Sequence, residues 1–320
     1  LPYRGGTAMD SREKIAGIID NIEQIIVGKR EVIEYTVITL LAGGHLLLED
    51  VPGVGKTTLA KALAQTIDCG FTRIQFTPDT LPSDITGLSV YNMQTGRFEY
   101  SEGAIMNNII LADEINRTSP KTQASLLEAM EERQVTVDGI THPLPKPFMV
   151  IATQNPVDYL GTYNLPEAQL DRFMMKLSIG YPSLPDEQMM ADRFLGKKLN
   201  RKLDPVADKA TIIKMQEEAA DIKVNRDLIN FITRFIHETR KDSNISLGAS
   251  PRAGLALIRA AQARAYIKGR TYCIPDDILD LIVPVIAHRI ILSPEAKLAK
   301  VKTEKVLKDI LSKIPIPVLS

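Results

Sequence analysis

Apolar positions along this chain follow two regimes. Up to about residue 180, short apolar runs of strand length alternate with segments whose apolar residues recur at helical spacing. Ile15, Ile18, Ile19, Ile22, Ile25 and Ile26 make one helical stripe over residues 11–26, which Gly28 can stop. A second helical segment covers roughly 30–42. Strand-length runs follow at 46–48, 72–76, 109–112 and 148–153, with a fifth near 175–179. Two interruptions stand out: Leu88, Val90, Phe98 and Tyr100 alternate around Thr95-Gly96, and 135–137 and 140–142 flank Asp138-Gly139. Both read as hairpins. Ser119-Pro120 reads as an N-cap and a first-turn proline, opening a helix through Leu126, Leu127 and Met130.

Short apolar strands interleaved with helices predict an α/β fold, its five-stranded and mostly parallel sheet covered on both faces. Past Pro182 and Pro185 the strand signal stops. Helices are expected near 186–196, 208–220, 225–241, 250–268, 275–290 and 295–312, with no strand among them. The expected organisation is an α/β domain over 11–182 and an all-helical domain over 186–320. Residues 1–10 read as a tag or a disordered arm.

The densest chemistry lies in residues 45–65, HLLLEDVPGVGKTTLAKALAQ. An apolar strand runs into the turn Val51-Pro52-Gly53-Val54-Gly55, and a helix opens at Lys56-Thr57-Thr58. Backbone N–H groups of such a turn converge on anionic oxygens, so the stretch predicts a phosphate cradle. Lys56 would neutralise the outer phosphates, and the Thr57 hydroxyl would complete the shell of a Mg²⁺ that keeps several waters. Asp50 stands where the strict pattern has glycine. Asp113 and Glu114 end a buried strand, where ligands bind in open α/β sheets. There Asp113 would hold Mg²⁺ largely through water, and Glu114 would act as general base. Asn155 ends the next strand, where a neutral amide can orient water against a phosphate. Arg172 lies shortly before the fifth strand, and Arg252 opens a helix after Ser250-Pro251. Both are suited to phosphate, being always charged and planar.

Composition narrows the picture. Lys plus Arg and Asp plus Glu number 39 each, so no global basic field favours nucleic acid. Cys69 and Cys273 are isolated, and His45, His142, His237 and His288 are scattered, which predicts neither a disulfide framework nor a zinc site. The apolar stretches 35–48 and 278–292 are too short or interrupted to span a bilayer. No secretory signal is visible, and a cytoplasmic protein is expected.

EDVPGVGKTTLAKALA, IILADEINR, LLEAME, VIATQNP, LPEAQLDRF and SPRAGLAL, in this order, resemble the MoxR-type AAA+ ATPases over about residues 26–290. The resemblance implies an αβα P-loop domain, an all-helical lid, ATP as the nucleotide and a homo-oligomeric ring, usually a hexamer. It matches Gly53, Gly55, Lys56 and Thr57 to Walker A, Asp113 and Glu114 to Walker B, and Asn155 to sensor 1. Arg172 matches the arginine finger, and Arg252 matches sensor 2, acting on its own or a neighbour's nucleotide. The hairpins resemble the inserts of a branch that includes magnesium chelatase ATPase subunits and replicative helicases. The implied function is chaperone-like remodelling, or insertion of a metal or cofactor, on client complexes whose partner carries a von Willebrand A domain. A helicase-type motor, a chelatase subunit and a non-catalytic scaffold are the alternatives.

Overall fold

The computed structural model describes residues 8–155, 162–196 and 203–317; Pro156 of the VIATQNP motif and the opening residues 1–7 lie outside them. Two helices lead in, α1 (Ala8–Glu23) and α2 (Arg30–Leu41). Ile15, Ile18, Ile19 and Ile22 are buried together, because residues three and four apart share a helix face. α1 starts at Ala8, inside the stretch read as tag or arm.

The strands follow as β1 (Leu46–Glu49), β2 (Phe71–Gln75), the hairpin β3 (Gly87–Asn92) and β4 (Arg97–Glu102), and β5 (Ile109–Asp113). Then come the hairpin β6 (Gln134–Val137) and β7 (Ile140–Pro143), β8 (Met149–Gln154) and β9 (Met175–Leu177). Five of them form one sheet in the order β2-β5-β8-β1-β9, with every adjacent pair parallel. β5 is buried along its whole length and β8 up to its last residue, so IILAD and MVIATQ read as apolar runs rather than alternation. Between the strands stand α3 (Lys56–Thr66), α4 (Pro82–Thr86), α5 (Pro120–Glu132) and α6 (Glu167–Leu170). The Ser119 hydroxyl accepts from Thr122 N–H at 3.3 Å, and Pro120 occupies the first turn, as read from the sequence.

Beyond β9 the described chain is mostly helical, with α7 (Leu184–Leu195), α8 (Lys209–Ala220), α9 (Arg226–Thr239), α10 (Pro251–Ile267), α11 (Pro275–Leu279), α12 (Ile282–Ile286), α13 (Pro294–Leu298) and α14 (Thr303–Ser312), the later of which form the lid. Two expected helices are divided. The segment 275–290 breaks between α11 and α12, which puts Pro284 in a first turn, where its missing N–H has no intrahelical acceptor to satisfy. The segment 295–312 breaks at Lys300, whose φ of 53° is left-handed. The lid also holds an antiparallel ribbon of β10 (Ile245–Leu247) and β11 (Ile291–Leu292), too short to leave a period in the sequence. One apolar core runs from α1, α2 and the sheet into the lid, joining Ile33 and Leu41 with Ile212, Phe231, Leu257 and Ile282. His288 Nε2–H and Arg289 Nη2–H both donate to the Phe173 carbonyl, at 3.0 and 2.7 Å, fastening the lid just before β9.

Parallel strands place all their C-terminal ends on one edge of the sheet and all their N-terminal ends on the other. That polarity separates the two sites described next.

Candidate functional site

At the C-terminal edge, Pro52, Gly53, Gly55, Lys56, Thr57, Thr58, Arg73, Gln75, Asp113, Glu114 and Asn155 line one cavity of about 340 Å³. The turn residues get there because β1 stops at Glu49 and α3 starts at Lys56, with Gly53 at φ 88° and Gly55 at φ 97°. A side chain at either glycine would be strained by that backbone. Val54 belongs to the same turn but is not among the lining residues. Lys56 Nζ–H donates to the Asp50 carbonyl at 2.6 Å, and burial lowers the lysine's pKa. Its charge is held beside the turn, within the same cavity as Thr57 and Asp113.

Asp50 has a structural explanation that its mismatch to the strict pattern concealed. Its carboxylate accepts from the Ser178 hydroxyl at 2.8 Å and from the backbone N–H groups of Ile179 and Gly180. The acid therefore ties the entrance of the turn to the chain leaving β9.

The acidic pair is more constrained than two residues at a strand end need be. Asp113 Oδ1 accepts from the Thr153 hydroxyl at 2.6 Å, and Asp113 Oδ2 pairs with Arg73 Nη2 at 2.6 Å. Glu114 has φ 56°, an uncommon value for a non-glycine residue, and its N–H donates to the Thr153 hydroxyl at 2.8 Å. Its carboxylate accepts from Gln75 Nε2–H and forms an ion pair with Arg117 Nε, each at 3.1 Å. Arg73, Gln75, Arg117 and Thr153 were absent from the sequence reading. Thr153 carried a faint signal, as the polar β-branched residue inside the apolar run of β8.

No group of three His, Cys, Asp or Glu that could enclose a metal occurs among the described residues. A hydroxyl and a carboxylate on one cavity wall, both Asp113 oxygens already engaged, fit a Mg²⁺ held mostly by phosphate and water.

Arg172 and Arg252 are not in this cavity. They line a second one, of about 320 Å³, at the N-terminal edge, together with Gly43, Gly44, His45, Glu131, Asp171 and three further arginines, Arg133, Arg259 and Arg289. The four-residue β1 alone separates the two edges by about 13 Å. Glu131 takes both arginines: Arg172 Nε at 3.1 Å on one oxygen, Arg252 Nη2 on the other. Asp171 accepts from the hydroxyl of Ser250, the N-cap of α10, at 2.8 Å. Arg289 is almost fully buried, its Nε 3.4 Å from Asp171, and burial lowers its pKa to about 10.

His45 and His288 are structural. His45 accepts from Val150 N–H at Nδ1 (3.0 Å) and donates from Nε2 to the Met130 carbonyl (3.2 Å). Burial lowers the pKa of both His45 and His288 to about 3, so the folded chain keeps them neutral.

A parallel sheet bearing a glycine-turn cradle at its C-terminal edge and a helical lid beyond define the class, a P-loop nucleotide-binding protein. Residues 45–175 match the model of the ATPase family associated with various cellular activities (AAA), and residues 237–310 match the AAA lid domain. The chain is 39% identical to the chaperone MoxR1 of Mycobacterium tuberculosis, covering 93% of this chain and 81% of that protein. It is 50% identical to the uncharacterized protein YeaC of Bacillus subtilis, over 94% of each. A crystal structure of a protein from Cytophaga hutchinsonii superposes with a TM-score of 0.91 at 39% identity, over 97% of both chains. The chain belongs to the MoxR-type AAA+ ATPases. No helix among the described residues is long and apolar enough to cross a membrane.

Proposed function

We propose that this chain binds ATP in the C-terminal cavity and hydrolyses it to drive chaperone-like remodelling of client protein complexes. The observation that carries the reading is the gathering of Lys56, Thr57, Asp113, Glu114 and Asn155, from three separate segments, around one cavity. In this reading the N–H groups of the turn and the Lys56 ammonium bind the triphosphate. Bound Mg²⁺ supplies charge neutralisation on the phosphates, and Thr57 and Asp113 would hold it, largely through water. Glu114 takes the proton of the attacking water at its carboxylate, once that carboxylate leaves Gln75 or Arg117. Asn155 holds the water in line.

Arg172 and Arg252 lie too far along the sheet to serve this cradle in the same subunit. Their position supports a ring, of six in the commonest form of such ATPases, in which each subunit offers both arginines to its neighbour's nucleotide. Arg252 then acts in trans. Clients and a von Willebrand A-domain partner would meet the hairpins, where Met93 and Phe98 are 91% and 73% exposed on the β3–β4 arm.

The test is Glu114→Gln, which keeps the fold and the cradle but removes the base. It should bind ATP and retain it, and a client should co-purify with it in ATP. Turnover equal to that of the unaltered chain would place the base elsewhere.

A further inference from the structure

The arginine cavity holds a residue to which nothing above gives a part in the reaction. Glu131 lies in the last turn of α5, and the chain on either side of it is tied to the sheet. On one side the Met130 carbonyl accepts from His45. On the other, Arg133 donates to the Phe148 carbonyl at 2.8 Å and to the Gly43 carbonyl. The chain carrying Glu131 is therefore anchored at three points of the fold, unlike an ordinary solvated glutamate at a helix end. Its two oxygens reach in different directions: one to Arg172, from the loop before β9, the other to Arg252, from the first turn of α10 in the lid.

We infer that Glu131 is a positioning residue, whose carboxylate holds Arg172 and Arg252 side by side as one two-pronged receptor for the phosphates of a neighbouring subunit's nucleotide. This rests on the reading above that both arginines act in trans. Without the carboxylate, two guanidinium groups in one cavity repel each other, and each carries a long side chain with many rotamers. With it, Arg252 spends one donor nitrogen on Glu131, Arg172 rests beside the other oxygen as an ion pair at 3.1 Å, and both keep N–H groups for an incoming anion. The cavity's charge agrees. Five arginines face two carboxylates, and Arg289 Nη1 has no hydrogen-bond partner among the described residues. Glu131 offsets part of that positive charge and fixes where the rest is presented, without cancelling it.

The experiment uses the full chain with Glu131→Ala and Glu131→Gln, assayed for ATP affinity, for kcat and KM under assembled conditions, and for thermal unfolding. Freeing two arginine side chains from a fixed geometry should lower kcat roughly ten- to thirty-fold in Glu131→Ala. ATP affinity should stay within about twofold, because the cradle is on the other edge of the sheet and loses no phosphate ligand. Glu131→Gln should fall between, since its carbonyl can still accept from one guanidinium. In an Arg252→Ala background the effect of Glu131→Ala should shrink, as there is no pair left to hold; a purely structural role would add in full. Unchanged or raised kcat in Glu131→Ala, or a full additive loss in that background, overturns the inference. If Arg172→Ala and Arg252→Ala themselves leave hydrolysis intact, the trans reading fails as well. If they abolish it while Glu131→Ala and Glu131→Gln do not slow it, the inference about Glu131 fails alone.

Discussion

The two edges of the sheet gather charge by opposite means. At the C-terminal edge the cradle is one continuous turn, residues 52–58, whose N–H groups and single lysine act through local backbone geometry. At the N-terminal edge Arg172, Arg252 and Glu131 come from a loop, a lid helix and α5, and meet where the lid packs against the sheet and is fastened at Phe173. A site built from consecutive residues is specified by its own sequence. A site assembled from three elements depends on everything that sets their relative positions, and a defect far away can disable it.

The comparison breaks most sharply at Arg172. A finger acting in trans contributes about 10³–10⁵ in rate. Arg172→Ala should bind ATP nearly as the unaltered chain does and hydrolyse it slower by about that factor. Lys56→Ala is the converse: it should lose tight ATP binding while keeping its arginine edge intact. Mixing the two should restore activity, because an intact Arg172 can then face an intact cradle. A mixture as inactive as its components, with mixed assemblies shown to form, would remove Arg172 from the trans role and leave the two edges uncoupled.

Asp50 gives the next largest effect and probes the tie between the cradle's entrance and the chain leaving β9. Asp50→Ala removes the acceptor for two backbone N–H groups and a hydroxyl in a buried setting. Unsatisfied buried donors cost about 1–3 kcal/mol each, so a loss of about 2–5 kcal/mol in unfolding free energy is expected by denaturant titration. ATP affinity should fall with it, since the main chain at position 50, whose carbonyl receives Lys56, loses its tie to residues 178–180. Unchanged stability would show that the turn holds its place without β9.

What the sequence disclosed follows the same division. The strand runs, the glycine turn, the two hairpins and the Ser119 cap were legible because each is a local pattern with a local physical cause. Asp113, Glu114 and Asn155 were legible as strand ends, once the cradle had fixed which edge of the sheet mattered. Arg73 and Gln75 were not, because a polar residue alternating along an edge strand looks solvated until β2 is known to lie beside β5. Nothing in LLEAMEE separates Glu131 from Glu128 or Glu132. Only the arrival of Arg172 and Arg252 does so, and that is a tertiary fact. The divided lid helices show a smaller failure of the same kind. Neither break was read: the expected 275–290 helix ran through Pro284, and Lys300 carries no residue-type signal for its left-handed backbone.

The smallest effect concerns acid, and it should strike the edges unequally. His45 lines the arginine cavity and His288 holds the Phe173 carbonyl, whereas no histidine lines the cradle. Both have folded pKa values near 3, through burial and neighbouring positive charge from Arg133 at His45 and from Arg289 and Lys176 at His288. An unfolded histidine titrates near 6.5, so below that pH the unfolded chain binds protons that the folded chain refuses. Their contribution is therefore fully present above about pH 6.5 and is lost as the pH falls toward 3, at up to about 1.4 kcal/mol per pH unit for each. Denaturant titrations between pH 7.5 and 5.5, above the range of ordinary carboxylates, should show stability declining with acid. His45→Gln, which has an acceptor and a donor but no titrating group, should remove its share of the slope. ATP binding by dilute subunits should survive over the same interval, while concentration-dependent hydrolysis falls first. If His45→Gln leaves the slope untouched, the histidine does not report on this edge. If ATP binding fails at the same pH as hydrolysis, acid does not distinguish the two edges, and the arginine cavity is no more dependent on distant packing than the cradle.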